Sequence, residues 1–126
     1  MKVRISTASI GSILAEISEA LNPRTAKAIV QALPIRGSCN RWGDEIYLGI
    51  DVSVPEENSK QVVEIGALAY WPPGQAFCIF FGPTPASKGA EPRAASPVNV
   101  FGRVLDDFNV FKKVKNGEEI TISKSE

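Results

Sequence analysis

Short segments in which apolar and polar side chains alternate recur along most of this chain, and this alternation constrains the fold more than any other feature. In residues 45–50, for example, Ile46, Leu48 and Ile50 occupy every second position. Successive side chains of a β-strand point to opposite faces, so a period of two is typical of a strand with one buried face. Similar or more continuous apolar segments lie at residues 2–6, 11–17, 35–40, 62–65, 76–82, 98–105 and 120–122. About seven or eight short strands separated by turn residues favour a mainly β barrel or sandwich.

Two segments carry helical signals instead. Asn22 is a favoured N-cap residue, and Pro23 suits the first helical position, where its missing N–H group is not needed. Apolar residues then recur at i, i+3, i+4 and i+7, which predicts an amphipathic helix over 23–33 that covers a sheet. Asp107 can cap a second, shorter helix over 108–115.

The composition argues against several classes of function. The chain has no histidine, which removes the usual general base, metal ligand and triad member at neutral pH. Its 14 basic residues balance 14 acidic ones, so no basic surface is expected to bind nucleic acid. The two cysteines, Cys39 and Cys78, lie far apart in sequence and cannot form a tetrahedral zinc site alone. We therefore expect no metal, no cofactor, no nucleic-acid partner and two buried thiols.

Targeting signals are not apparent. The N-terminal segment has charges at Lys2 and Arg4 without the apolar run of roughly 7–15 residues that a signal peptide needs. No segment approaches the roughly 20 apolar residues of a membrane span. These features predict one cytoplasmic domain over 1–126 without a membrane partner, and we expect it to be a monomer or a weak homo-oligomer.

Three blocks of sequence resemble a known family. They are residues 40–47 (NRWGDEIY), residues 63–85, which include the turn YWPPG, and residues 95–102 (ASPVNVFG). Together they resemble the small prokaryotic family of cyclophilin-like proteins of unknown function, collinearly from the first strand to the last. The resemblance implies a closed eight-stranded barrel with a helix over each open end.

A fainter similarity to true cyclophilins accompanies it, at residues 23–26, 80–82, 100–104 and 108–123. True cyclophilins are peptidyl-prolyl isomerases that use an arginine and a pocket lined by Phe, Trp and His. This chain has no His, and its Pro-rich segment 83–97 lacks the expected Trp. Loops of that length are functional or mobile. The resemblance thus leaves a divergent isomerase as the alternative function.

Arg41 is the candidate catalytic residue, because it lies near the place of the isomerase arginine, although the local match slips by one residue. Proline isomerisation needs only a pocket for the twisted amide and a donor to its nitrogen. The competing interpretation is a surface arginine that pairs with Asp44 or Glu45.

The candidate binding residues are aromatic, acidic or amide side chains in the family blocks. Aromatic rings with polar groups are good binding platforms, and two carboxyl groups that share a cleft can perform acid–base chemistry. The alternatives are packing for the rings, salt bridges for the carboxylates and loop anchoring for the amide. We expect Trp71 to pack on its neighbouring prolines. The binding candidates are Trp42, Glu45, Tyr47, Glu64, Tyr70 and Asn99.

These features favour a module that binds a peptide segment or a small polar ligand in an aromatic-lined groove. The alternatives are the isomerase and an interaction subunit of a larger complex, which would need an exposed apolar patch.

Overall fold

A computed structural model describes residues 1–125, so the last residue of the expected domain lies outside the described part. The described residues form ten strands, one α-helix and two short 3-10 helices. The strands are β1 Lys2–Thr7, β2 Gly11–Ile17, β3 Ile35–Ser38, β4 Asn40–Arg41, β5 Glu45–Gly49, β6 Lys60–Val62, β7 Ala67–Trp71, β8 Ala76–Phe80, β9 Arg93–Val104 and β10 Glu119–Lys124. The α-helix is α1, Pro23–Ala32, and the 3-10 helices are Pro72–Gly74 and Phe108–Lys113.

All the hydrogen-bonded strand pairs are antiparallel. The strands follow one another in the order β3-β10-β1-β2-β9-β7-β8-β5-β4, and β6 pairs with β9 off this path. The long strand β9 therefore contacts three partners, because its first part pairs with β6 and its later part lies between β2 and β7.

The mainly β architecture is confirmed, but the pairing among residues 1–125 differs from a closed eight-stranded barrel. There are ten strands, and their path ends at β3 and β4, which Cys39 alone separates along the chain. The Cys39 N–H donates to the Glu118 carbonyl at 2.9 Å, and its carbonyl accepts from the Gly117 N–H at 2.7 Å. These bonds continue the pairing of β3 with β10 by one residue, and no pairing joins β3 to β4 within residues 1–125.

The sheet separates two hydrophobic cores. The main core lies on the side that α1 covers, and it contains Phe77 and Ile79 of β8. A smaller second core lies on the opposite face and contains Cys78 and Phe80 of the same strand. Every residue of β8 is buried, as expected for the continuous apolar run at 76–82. Side chains of this strand therefore contribute to both hydrophobic cores.

Helix α1 forms where the sequence predicts it, but its N-terminus is capped differently. Asn22 occupies the N-cap position without a capping hydrogen bond, and its Nδ2 donates to the Val100 carbonyl at 2.7 Å. The carboxylate of Glu57, from the loop after β5, instead accepts the N–H groups of Arg24 and Thr25 at 3.1 and 3.2 Å. A carboxylate at this end complements the helix dipole as well as the free N–H groups.

The second predicted helix is a 3-10 helix that ends at Lys113, two residues before the expected end. Asp107 caps it as predicted and accepts the Asn109 N–H at 3.0 Å. Phe111 is buried in the main core, and Val114 follows it there. No helix within residues 1–125 is long and apolar enough to cross a membrane, and a cytoplasmic location stays a prediction.

The segment 83–97 is not one long loop, because β9 already begins at Arg93. Pro97 lies within this strand where the register with β6 shifts, a place that tolerates a missing N–H group. The remaining loop is held by Ser87, whose hydroxyl accepts the N–H groups of Thr84 and Arg93 at 2.9 and 3.1 Å. Strand β6 similarly lies at 60–62 rather than at the predicted 62–65.

Candidate functional site

A small pocket of about 220 Å³ lies on the face of the sheet that carries the second core. Three segments contribute to it: the β4–β5 hairpin, the end of β7 and the start of β9. Its lining combines three half-buried aromatic rings, one buried carboxyl group and three small apolar side chains. We call this site the aromatic pocket, and its lining residues are Trp42, Glu45, Tyr47, Trp71, Ala94, Ala95 and Val98.

Pairing between β5 and β8 places the acid and the tyrosine side by side. Glu45 lies opposite Phe80, and Tyr47 lies opposite Cys78. Side chains two positions apart share one face of a strand, so Glu45 and Tyr47 point into the pocket while Ile46 enters the main core. The alternation seen in the sequence therefore creates the floor of the site.

Trp42 is held at the pocket by the tight turn between β4 and β5. The backbones of Trp42 and Glu45 exchange two hydrogen bonds, at 2.9 and 3.2 Å. Gly43 in this turn has a φ of 60°, and a Cβ atom there would lie 2.8 Å from Pro85 Cδ. Glycine is needed on both counts, because the conformation is left-handed and the loop after β8 packs closely against it.

Trp71 forms the opposite wall. Its indole Nε1 donates to the Ser96 hydroxyl at 2.7 Å, which ties the ring to β9. Its ring also packs on the turn that follows, where a Cβ atom at Gly74 would lie 2.5 Å from the indole. The ring therefore packs on Gly74 of the turn and also lines the pocket, whereas its packing on the neighbouring prolines stays a prediction.

Tyr70 lies on the other face of β7, away from the aromatic pocket. It is fully buried in the main core, and its hydroxyl donates to the Val52 carbonyl at 2.6 Å. The structure thus brings Trp42, Glu45 and Tyr47 together as predicted, with Trp71 in the place expected for Tyr70.

Glu45 is the buried acid of the pocket, with 6% of the residue exposed. Its carboxyl group accepts a hydrogen bond from the Cys78 thiol, which is a weak donor. Desolvation raises the pKa of Glu45 to about 7, and the nearby Cys78 thiol has a smaller, opposite effect. Burial and the negative field of Glu45 raise the pKa of Cys78 well above its usual value, so this thiol stays protonated.

Arg41 lies outside the aromatic pocket, and its donors are engaged elsewhere. Nε and Nη2 donate to the Gly43 carbonyl at 3.0 and 2.9 Å, and Nη1 donates to the Val114 carbonyl at 2.8 Å. The guanidinium also pairs with Asp44 at 3.4 Å and lies 5.0 Å from the centre of the Phe81 ring. These contacts join the β4–β5 hairpin to the end of the second 3-10 helix, and the catalytic role stays a prediction.

The two other predicted binding residues do not line the pocket either. Asn99 is fully buried, and its amide joins helix α1 to the loop after β5: Nδ2 donates to Thr25 Oγ1 and to the Pro55 carbonyl, each at 3.0 Å. Its Oδ1 accepts the Glu57 N–H at 3.0 Å. Glu64 is exposed at the turn before β7, so it does not share a cleft with Glu45.

The sequence reasoning missed Trp71 and the three small residues from β9 as parts of the site. For Trp71 the signal was available: strand alternation requires neighbours in β7 to face opposite sides, so only one of Tyr70 and Trp71 could line the pocket. Ala94 and Ala95 had no such signal, because the Pro-rich composition around them is typical of a loop. Val98 was predicted as an inward residue of a strand, but nothing in the sequence assigned it to the pocket.

A larger depression of about 490 Å³ lies between the N-terminus and helix α1. Its rim is formed mainly by exposed flexible side chains such as Glu19, Lys27 and Gln31. The aromatic pocket is the better candidate because its walls are fixed by packing and backbone pairing. No cluster of metal-ligating side chains occurs in the part of the chain that the structure describes.

Comparisons with known proteins agree with this fold. The model of the family described as "Cyclophilin-like" matches residues 1–123. The solution structure of the hypothetical protein AF2241 from Archaeoglobus fulgidus is 45% identical, with a TM-score of 0.81 over 99% of this chain and 95% of that one. The structure of McbB in complex with tryptophan has a TM-score of 0.74 at 14% identity, over 98% of this chain and 44% of McbB.

No curated protein matches the chain. The family match over nearly the whole length and the identity to AF2241 both agree with the resemblance found in the sequence blocks. This chain belongs to the cyclophilin-like family.

Proposed function

We propose that this protein binds a small organic molecule in the aromatic pocket. The observation that carries the proposal is Glu45: a carboxyl group buried among three aromatic rings and facing an open cavity, whose hydrogen-bond partner in the protein is the weak thiol donor of Cys78. Buried polar groups in proteins are nearly always paired, because each unpaired one costs free energy of folding. A ligand that pairs with Glu45 accounts for the retention of such a group.

The dimensions of the pocket favour a small molecule over a peptide segment. Pockets for drug-sized ligands usually measure about 300–1,000 Å³, and the aromatic pocket measures about 220 Å³. A peptide could insert only one side chain. The rings of Trp42, Tyr47 and Trp71 provide flat apolar walls, and Glu45 provides one polar contact that orients the ligand.

Intrinsic fluorescence tests this proposal directly, because the only two tryptophans of the chain both line the pocket. A library of small metabolites and fragments is titrated into the protein, and emission and melting temperature are recorded. We expect a saturable change with at least one compound, together with a higher melting temperature, because a ligand that binds only the folded state stabilises it.

The matched variants are Ala95→Phe, which places a ring in the pocket from an exposed lining position, and Val110→Thr, a partly buried substitution on the far side of the sheet. We expect the first to abolish the response and the second to preserve it. A library that produces no response in the wild-type protein, or a response that Ala95→Phe retains, would contradict the proposal.

The alternative is a divergent peptidyl-prolyl isomerase with Arg41 as the donor. About a quarter of its side chain is exposed (24%), so a substrate could reach it only by competing with the carbonyl groups it already contacts. A protease-coupled isomerisation assay decides this point. A rate equal to the uncatalysed one excludes isomerase activity. A higher rate that is lost in a folded Arg41→Ala variant supports it.

A further inference from the structure

The electrostatic character of the aromatic pocket selects among classes of ligand. Its lining contains one carboxyl group, three aromatic rings and three small apolar side chains, with no lysine or arginine among them. An anionic ligand would lose its hydration here without gaining a cationic partner. Burying an unpaired charge is strongly unfavourable, so carboxylates and phosphates are poor candidates.

A cation finds complementary groups in the same space. The face of an aromatic ring carries negative charge density, and it attracts ammonium groups most strongly when the ring is Trp or Tyr and the site is desolvated. Trp42, Tyr47 and Trp71 supply three such rings around one small cavity. Glu45 adds a carboxyl group that becomes a full counter-charge when it loses its proton.

Some hydrogen-bond donors of the pocket wall are already engaged. The indole N–H of Trp71 is bonded to the Ser96 hydroxyl, and the Cys78 thiol, a weak donor, is bonded to Glu45. The indole N–H of Trp42 and the hydroxyl of Tyr47 can donate to a ligand, so the preference for a cation rests on the carboxyl group and the three rings rather than on a lack of donors.

We propose that the ligand of the aromatic pocket is a small organic ammonium compound, whose cationic group lies among Trp42, Tyr47 and Trp71 and pairs with the carboxylate of Glu45. This inference rests on the proposed binding function and specifies its ligand class. The three rings contribute cation–π attraction, and the small side chains of Ala94, Ala95 and Val98 leave room for the methyl or methylene groups of the cation.

Binding of a cation is coupled to the ionisation of Glu45. The groups that face its carboxyl are Cys78 from β8, which stays protonated, and Tyr47 from its own strand. The lining residues from β7 and β9 are Trp71, Ala94, Ala95 and Val98, none of which is acidic or basic. With a Glu45 pKa of about 7, the ionised fraction of the free protein rises about tenfold between pH 6 and pH 8. The affinity for a permanent cation rises with it.

The test uses choline and its neutral carbon isostere 3,3-dimethylbutan-1-ol, titrated into the full-length protein by tryptophan fluorescence and calorimetry. Choline does not titrate in this range, so its pH dependence belongs to the protein. We expect choline to bind at least about tenfold more tightly than the isostere at pH 8, consistent with a desolvated cation–π site. We also expect its affinity to fall about tenfold at pH 6.

Glu45→Gln keeps the shape of the side chain and removes its charge, and Glu64→Gln is the matched control at an exposed glutamate outside the pocket. We expect Glu45→Gln to lose the pH dependence and to weaken the preference for choline, and Glu64→Gln to keep both unchanged. Circular dichroism verifies that each variant is folded.

The outcomes separate the two proposals. If the neutral isostere binds as tightly as choline, or if affinity rises toward pH 6, the ammonium inference is wrong and the binding function stands. If neither probe binds but a neutral or anionic compound of the fragment library does, the ammonium inference is again wrong. If nothing binds in either experiment, both proposals fail.

Discussion

Glu45 illustrates how position in a strand decides the chemistry of a single residue. Its neighbour Asp44 pairs with Arg41 near the surface, whereas Glu45 faces a pocket walled by aromatic rings. Desolvation stabilises its neutral form and raises its pKa to about 7. The direction of this shift determines how the stability of the protein depends on pH.

The raised pKa predicts that Glu45→Gln stabilises the protein at alkaline pH. The carboxyl of the folded state binds its proton more tightly than that of the unfolded state, whose pKa is 4.5. The folded state therefore loses stability as pH rises from 4.5 through 7, by an amount on the order of 3 kcal/mol. A glutamine at this position does not titrate, so the variant does not lose stability in this way.

Denaturant unfolding of wild type and Glu45→Gln at pH 4.5 and pH 8.5 measures this difference. We expect the variant to gain stability relative to wild type only at the higher pH. If variant and wild type differed in stability by the same amount at both pH values, Glu45 would have an ordinary pKa in the folded state.

At the scale of the element, helix α1 depends on a residue that is distant in sequence. Glu57 accepts two backbone N–H groups of the first helical turn and also the Thr25 hydroxyl, at 3.0 Å. Desolvation alone would raise the pKa of Glu57, but these hydrogen bonds together outweigh it and lower the pKa below 4.5. Asn99 accepts the Glu57 N–H group and so fixes the loop that delivers the cap.

Removing this cap is expected to lower the melting temperature. Because the folded-state pKa is depressed, the contribution of Glu57 is present above pH 4.5 and disappears as pH falls through the lower folded value. Thermal melts of Glu57→Ala and of the control Glu56→Ala, at pH 7 and pH 3, test this. The Glu57 variant should melt lower at pH 7, with a smaller difference at pH 3. If the control Glu56→Ala lowered the melting temperature equally, the effect would belong to the loop in general and not to the helix cap.

At the scale of the whole molecule, the site and the main core share one strand. Phe77 of β8 is fully buried in the main core and meets Phe101 edge to face, with ring centres 5.2 Å apart. The adjacent Cys78 lies beneath the aromatic pocket on the other face. The pocket can therefore persist only while the main core is intact.

This arrangement predicts one cooperative unfolding transition for both faces. Phe77→Ala should destabilise the protein by about 3–5 kcal/mol through lost burial and a cavity. The circular dichroism of the sheet and the fluorescence of the pocket tryptophans should shift to the same lower midpoint of denaturant. Two separate midpoints would show that the second face unfolds independently of the main core.

The sequence by itself determined the strands with clear alternation, the helix predicted over 23–33 and the family, because these depend on local periodicity, capping residues and contiguous motifs. It also identified Trp42, Glu45 and Tyr47, which one hairpin holds together. It did not reveal the start of β9 at Arg93, because the prolines around it are typical of a loop until a partner strand fixes the register.

Only the tertiary structure decided the face of each side chain and the partner of each polar group. Tyr70 and Trp71 are adjacent and similar in chemistry, yet the pairing of β7 buries one in the main core and places the other in the pocket. Arg41 bonds backbone carbonyls of a segment some 70 residues later in the chain, as its separation of 73 from Val114 shows. Strand alternation determines that neighbouring side chains point to opposite faces of the sheet. Long-range packing decides which of the two faces covers the main core.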